Sequence, residues 1–279
     1  MKTLILYLLV FLLILNHQTI ILENQKILSF FLYQLLPSLF ILCILIQLLP
    51  FPKIKSYKIS FFNINTTTFN LIIKMILLGI PTSAYLINQY VKDHRINENQ
   101  AKRLIYCISL PSISFMLMTI PFLSNLKYAT MLFIINILSI FILLFITKNI
   151  ECNLNIDIPN HSLSNALYFT IKSMAYILSY LFIISSLKSM FILYLPNFIE
   201  FIHLTFEFSS GVSYFINHLL LCSLCIGFNG FCAHLQIMNG CDSISLDYKV
   251  FLFYRILHCF LNLVLFGCFH FITQILHIF

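Results

Sequence analysis

The sequence predicts an all-α polytopic membrane protein, with about six full spans and two re-entrant helical hairpins arranged as inverted repeats. Three observations predict it: the hydrophobic composition, a glycine-interrupted apolar pattern that occurs twice, and an uneven distribution of basic residues. Of the 279 residues, 60% are hydrophobic and 9% are charged, and the mean hydropathy is +0.96. This leaves too little polar surface to solvate a soluble fold of this length.

The apolar pattern breaks at Gly79 in the first half of the chain and at Gly227 in the second, so the copies are offset by 227 − 79 = 148 positions. Each apolar arm holds roughly ten residues, whereas crossing a hydrocarbon core of about 30 Å takes about twenty. Such short interrupted segments, at matching places in two halves, are typical of the binding site of a transporter. We therefore expect two re-entrant hairpins.

The apolar runs divide the chain into spans and repeats. The predicted spans are Leu4–Asn16, Ile27–Leu49, Leu104–Pro121, Tyr128–Thr147, Ala166–Leu187 and Val250–Ile275, with hairpins at Asn70–Val91 and Asn217–Met238. Residues 1–50 form two N-terminal transmembrane helices, 51–150 the first repeat, 151–162 a cytoplasmic connector and 163–279 the second, inverted repeat. The first span resembles a signal peptide but lacks a small-residue cleavage site, so we interpret it as retained.

Basic residues predict the orientation, because short cytoplasmic loops collect Lys and Arg. They are concentrated between Lys92 and Arg103 and absent from Cys241–Tyr248. We therefore expect the first loop to be cytoplasmic and the second to lie on the opposite face. The N-terminus is then cytoplasmic.

The two breaks carry the residues expected to bind a solute. Glycine permits tight turns and close backbone approach, while helix ends present unpaired backbone groups. The candidate binding residues at the breaks are Gly79, Pro81, Thr82 and Ser83 in the first half and Gly227, Asn229, Gly230, His234 and Gln236 in the second. These groups suit a neutral, hydrogen-bonding solute better than a bare ion. The alternative is that each break is an ordinary kink whose hydroxyls satisfy neighbouring carbonyls.

A further polar stretch, Pro196–Phe215, carries Glu200, His203 and Glu207 at helical spacing on one face. It is either a helix lying along the membrane interface or one that faces a polar cavity. If it faces a cavity, we expect Glu207 to share it with Asn229 and Gln236 near the membrane midplane, and Thr82 and Ser83 to close it.

Catalytic and metal motifs are missing from the sequence. It contains no Gly-x-Ser-x-Gly, no His-Glu-x-x-His and no P-loop, so no enzyme activity is predicted. The nine cysteines are scattered along apolar segments, which favours small buried hydrophobes over a disulfide framework or a metal site at Cys222, Cys225, Cys232 and His234. No metal, cofactor or nucleic-acid partner is expected; the expected partners are the lipid bilayer and a small solute.

Four stretches resemble the YlbJ-type sporulation integral membrane proteins. These stretches are Gly79–Leu86 with Ile96–Leu104, Gly227–Gln236, Glu207–Gly211 and Leu36–Phe40. That family carries the nucleoside-recognition, or Gate, domain, which is similar to the core of concentrative nucleoside transporters. The resemblance implies an inverted-repeat, transporter-like core that acts in spore formation, in the mother-cell or forespore membrane.

Two functional hypotheses follow from the resemblance. One is a carrier for a small polar solute such as a nucleoside, working by alternating access. The other is a structural or scaffold protein of the developing spore. Homo-oligomers or other sporulation membrane proteins are the expected protein partners.

Overall fold

The computed structural model describes residues 2–49, 57–120, 125–152, 154 and 162–275, and this part of the chain is almost entirely helical. The described residues also contain a short antiparallel sheet of two strands, β1 (Lys58–Ile59) and β2 (Ile64–Asn65). The helices are α1 Lys2–Leu15, α2 His17–Leu48, α3 Thr66–Leu78, α4 Thr82–Lys92, α5 Glu98–Cys107, α6 113–120, α7 Leu126–Ile146, α8 Leu163–Tyr194, α9 Ile199–Thr205, α10 Phe208–Tyr214, α11 Leu219–Phe228, α12 Gly230–Gly240 and α13 Tyr248–Ile275.

The prediction of an all-α membrane protein is confirmed in its coarse form. Five segments of the described chain are long and apolar enough to cross a bilayer: His17–Leu48, Leu126–Ile146, Leu163–Tyr194, Leu219–Gly240 and Tyr248–Phe269. The first predicted span is helical as α1, whose 14 residues reach only about 21 Å at 1.5 Å per residue. The predicted connector, 151–162, lies mostly outside the described residues.

Helices α2 and α8 form an antiparallel pair that defines the two faces of the molecule. Asn24 donates to Ser186 at 3.2 Å near one end, and Gln47 donates to Thr170 at 3.2 Å near the other. We call the face at the Tyr194 end of α8 the upper face and the face at its Leu163 end the lower face.

The chain breaks and turns at Gly79, where the sequence predicts a break. Asn65 caps α3 by accepting a hydrogen bond from the Thr68 backbone at 2.9 Å, and the helix ends at Gly79, whose φ is +66°. Helix α4 then packs back against α3 and ends at Lys92 on the lower face. The turn follows from local chemistry, because glycine adopts positive φ with little cost and proline can follow it at the start of a helix.

The second predicted hairpin, Asn217–Met238, is wrong. Helices α11 and α12 meet at Asn229 and Gly230, both at positive φ, but they do not pack against each other. Instead α11 starts near the upper face, and α12 continues downward until the Gly240 carbonyl accepts a hydrogen bond from Asn88. The segment is a broken helix that continues in one direction, since two left-handed residues interrupt the helix without reversing it.

The prediction that Lys92–Arg103 and Cys241–Tyr248 lie on opposite faces is therefore also wrong. Lys92 Nζ lies 2.8 Å from an Asp242 carboxylate oxygen, and Lys102 donates to Ser245 Oγ at 2.9 Å. Glu98 accepts hydrogen bonds from the Ser245 backbone and hydroxyl. The Ser245 bonds and Lys102 lower the pKa of Glu98 to about 2, and Lys92 lowers that of Asp242 to about 2.

We expect a Lys92→Cys/Asp242→Cys double variant to form a disulfide or a short bifunctional cross-link, because the native side chains are in contact. The exposed Cys268 is first changed to serine, and cross-linking is read from gel mobility after proteolysis between the two sites. A Lys92→Cys/Lys127→Cys pair is the control, since Lys127 lies at the upper start of α7. Equal cross-linking of both pairs would contradict the shared lower face.

Two other predicted segments also differ. The predicted span Leu104–Pro121 is broken, because α5 stops at Cys107 and residues 108–112 are non-helical before α6; Pro121 is outside the described residues. The stretch Pro196–Phe215 is two short helices, α9 and α10, that pack against each other. Glu207 lies at the turn between them, so it does not share a helical face with Glu200 and His203.

Candidate functional site

Four non-helical segments converge at the centre of the bundle: the α3–α4 turn at 79–81, residues 108–112, the α9–α10 turn at 206–207, and the α11–α12 break at 229–230. The Ile80 backbone donates to the Leu110 carbonyl at 2.8 Å, which joins the first two. Asn229 Nδ2 donates to the Ser109 carbonyl at 2.9 Å, which joins the second and the fourth. The freed Ile80 N–H and the Ser109 and Leu110 carbonyls are thus paired, with another backbone group or with a side-chain amide, as burial in an apolar environment requires.

The remaining turn contacts the last break through backbone. The Cys232 backbone donates to the Phe206 carbonyl at 3.0 Å. A Cβ atom on Gly230 would lie 2.9 Å from Glu207 Cα, and one on Gly79 would lie 2.1 Å from the Ser112 backbone nitrogen. Both glycines, Gly79 and Gly230, have positive φ, and at both positions a neighbouring backbone leaves no room for a Cβ atom.

Glu207 is buried and caps α10. Its Oε1 accepts from the Ser209 backbone at 2.8 Å and from Ser209 Oγ at 2.7 Å, and its Oε2 accepts from the Ser210 backbone at 2.6 Å. The carboxylate therefore satisfies orphan donors at the start of α10. It also borders two cavities, one central and one toward the upper face.

The predicted shared cavity is only partly present. A central cavity of about 40 Å³ is lined by Glu207, Gln236, Pro81 and Ser112, among others. Asn229 does not line it, because its amide is used to bridge to Ser109. The cavity is only slightly larger than one water molecule, which occupies about 30 Å³ in the liquid.

The other predicted site residues are buried beside this centre rather than in the cavity. Thr82 and Ser83 are almost fully buried in the first turn of α4, and Ser83 Oγ has no hydrogen-bond partner among the described residues. His234 Nε2 lies 2.7 Å from the Phe228 carbonyl, a group freed by the α11–α12 break. Gly227 lies in α11, packed against Cys259 and Asn262 of α13.

Arg255 is a central residue that was not among the candidates predicted from the sequence. It is fully buried. One Nη donates to the Ser109 carbonyl at 2.9 Å and the other to the Tyr106 carbonyl. The signal was available, since an arginine in an apolar span needs buried acceptors, but only the tertiary structure shows that those acceptors are the carbonyls freed by the 108–112 break.

Three cavities lie in a row along one face of α8. A lower cavity of about 310 Å³ borders Ser173 and Tyr176, and the central cavity of about 40 Å³ borders Ile177 and Leu181. An upper cavity of about 200 Å³ borders Ser185 and Lys188. The lower cavity lies between α8, α4 and the end of α12, the upper one between α2, α8 and α10, and the central one, which is the smallest, between the α2–α8 pair, the two turns and α12.

No family model, no curated protein and no solved structure matches the chain. The fold defines a class of protein: a helical protein with several segments long and apolar enough to span a membrane, and with a buried centre built from broken helices.

Proposed function

We propose that this protein is a carrier that moves a small polar solute across a membrane by alternating access. The observation that carries the proposal is the row of three cavities along α8. A wide cavity near each face and a narrow one between them are what a closed, intermediate state of a carrier requires. The constriction lies where the two turns approach α8 and α12, and among its mainly apolar lining a solute would meet Glu207, Gln236 and Ser112.

The order of the elements supports two inverted repeats, in a different register from the one expected. In the first half, the α3–α4 hairpin is followed by a broken helix, α5–α6, and by the span α7. In the second half, the α9–α10 hairpin is followed by a broken helix, α11–α12, and by the span α13. We propose that the first hairpin re-enters the membrane from the lower face and the second from the upper face. Matching broken elements in opposite orientation are the pattern of secondary transporters.

The α2–α8 pair is proposed as the frame, and the two hairpins with their broken helices as the moving unit. Polar contacts within the pair, such as Asn24 to Ser186, favour a fixed frame. Contacts from α8 to the hairpins and broken helices include Lys188 to Ser210 Oγ at 2.9 Å, Gln236 to the Ile177 carbonyl at 3.4 Å and the aromatic pair Phe191–Phe206 at 5.2 Å. The proposed movement would exchange these contacts for others by a small shear of packed helices.

The sequence resemblance to sporulation membrane proteins adds the biological proposal: a nucleoside-like solute and a role in spore formation in a bacterial plasma membrane. A nucleoside would fit the lower cavity in size, since ligand pockets begin at about 300 Å³. The competing proposal is a scaffold protein of the spore that has kept the fold without transport. One observation favours the scaffold: the backbone groups freed around Ser109 and Asn229 already have hydrogen-bond partners within the protein.

Uptake into proteoliposomes separates these two proposals. A Phe191→Cys/Phe206→Cys pair, bridged by a short bifunctional reagent, ties α8 to the α9–α10 hairpin. We expect it to abolish uptake of radiolabelled uridine, or of another solute in a nucleoside and metabolite panel, and uptake should return when a cleavable bridge is reduced.

The matched control is Asn24→Cys/Ser186→Cys, which ties α2 to α8 inside the frame and should leave uptake intact. If neither the parent protein nor its variants take up any solute of the panel, the scaffold proposal is favoured. If both bridged pairs transport normally, the proposed movement is wrong.

A further inference from the structure

The upper cavity has an unusual lining for a space beside membrane-spanning helices. It lies between α2, α8 and α10, has a volume of about 200 Å³, and contains four serines together with two lysines and two glutamates. Polar and charged groups at such positions are costly unless they are paired or face a ligand or water. Each charged group in the cavity therefore needs a partner.

Three of the four charges are already engaged. Lys26 Nζ lies 2.6 Å from Glu23 Oε1, which pairs those two residues. Glu207 accepts three hydrogen bonds from Ser209 and Ser210. The fourth charge, on Lys188, makes one hydrogen bond, to Ser210 Oγ at 2.9 Å, and no carboxylate of the described residues lies within ion-pair distance of it.

The remaining hydrogen-bonding capacity defines a complementary ligand. A lysine ammonium has three donors, so Lys188 keeps two after bonding Ser210. A carboxylate has about four acceptor sites, so Glu207 keeps about one, on Oε2. Both residues contact Ser210, and both border the same cavity. The free donors attract an acidic group, and the free acceptor, with the serine hydroxyls, suits a hydroxyl a few ångströms away.

We propose that the upper cavity is a binding site for a small solute that carries an acidic group, a carboxylate or a phosphate, beside one or more hydroxyls, with Lys188 binding the acidic group. The volume of about 200 Å³ corresponds to roughly six or seven waters at about 30 Å³ each, which suits a hydroxy acid of a few carbons. The claim that this solute is transported rests on the proposed carrier function, whereas the claim that it binds in the upper cavity does not.

Binding to the purified full-length protein in detergent tests the site, with calorimetry and thermal stabilisation as readouts. D-Glycerate is the carboxylate probe and glycerol 3-phosphate the phosphate probe. Glycerol lacks the acidic group, and propionate lacks the hydroxyls. We expect at least one acidic probe to bind about tenfold or more tightly than glycerol and propionate, since a hydrogen bond to a charged group is worth about this factor.

Lys188→Gln is expected to weaken binding of the acidic probe about tenfold or more and to leave glycerol binding unchanged. Lys249→Gln is the matched control, because Lys249 is an exposed lysine that borders none of the three cavities. Circular dichroism and size exclusion establish that the variants fold.

The proposal is overturned if neither acidic probe binds at millimolar concentration, if glycerol binds as tightly as the acidic probes, or if Lys188→Gln binds them like the parent protein. If uridine is taken up but no acidic probe binds, the proposed carrier function stands and the proposed binding site is wrong. If an acidic probe binds but no solute is taken up, the proposed binding site stands and the proposed carrier function is wrong.

Discussion

Gly79→Ala is expected to destabilise the protein by about 3–5 kcal/mol and to abolish solute uptake. The added Cβ would lie 2.1 Å from the Ser112 backbone nitrogen and 2.3 Å from Ser112 Cα. Backbone atoms cannot rotate away as a side chain can, and the φ of +66° at Gly79 disfavours any side chain. The α3–α4 turn must therefore move away from residues 108–112. Thermal unfolding in detergent and the uptake assay measure the two effects.

Two other glycines provide graded controls for this variant. At Gly227 the nearest atom to an added Cβ is the Asn262 side-chain Nδ2, at 2.9 Å, so Gly227→Ala should cost less than Gly79→Ala. At Gly267 nothing lies within 4 Å, and Gly267→Ala should be neutral or stabilise α13 by up to about 1 kcal/mol. Equal stability of all three variants would contradict the close packing of the first turn.

Arg255→Met is expected to destabilise the protein by about 1–3 kcal/mol, because it leaves the Tyr106 carbonyl without its charged donor and the Ser109 carbonyl with the Asn229 amide alone. The methionine retains most of the hydrophobic volume, so the loss comes mainly from the unpaired Tyr106 carbonyl. The effect should concentrate at the 108–112 break, and hydrogen exchange of α5 and of the residues after it should increase. Thermal unfolding measures the global effect and exchange measured by mass spectrometry the local one.

Lys249→Met is the matched control, since it removes a cation from the same helix at an exposed position. It should change the unfolding temperature little. Arg255→Lys should lie between the two, because a lysine keeps the charge but cannot reach two carbonyls with a planar fork. Similar stability of Arg255→Met and Lys249→Met would show that the 108–112 segment does not need the hydrogen bonds from Arg255.

Local chemistry accounts for the features that sequence analysis placed correctly. Hydrophobic composition determined the class, because no arrangement of so few polar residues solvates a chain of this length. The predicted span Tyr128–Thr147 coincides with α7 within two residues, since it is uniformly apolar and bounded by Asn125, which caps it. The turn at Gly79 was found because glycine and proline mark reversals locally.

The site itself was only partly accessible from sequence. Glu207 and Gln236 border the central cavity as expected, since buried polar side chains in an apolar bundle tend to converge. Asn229 was expected to join them, but its amide pairs with the Ser109 carbonyl. That carbonyl is available only because α5 ends early, at Cys107. Pro111 marks a break in the apolar run after Leu104, but the sequence does not show that the helix stops four residues before it.

The direction of the chain at each break was decided by tertiary packing alone. The breaks at Gly79 and Gly227–Gly230 look alike in sequence, yet α3 and α4 pack against each other and α11 and α12 do not. The reversal in the second half occurs instead at Phe206–Glu207, where no glycine or proline marks it; the nearby Gly211 allows α10 to approach the His203 carbonyl. A local pattern shows where a helix can break, but whether the chain then turns back depends on which distant surfaces its two arms bury.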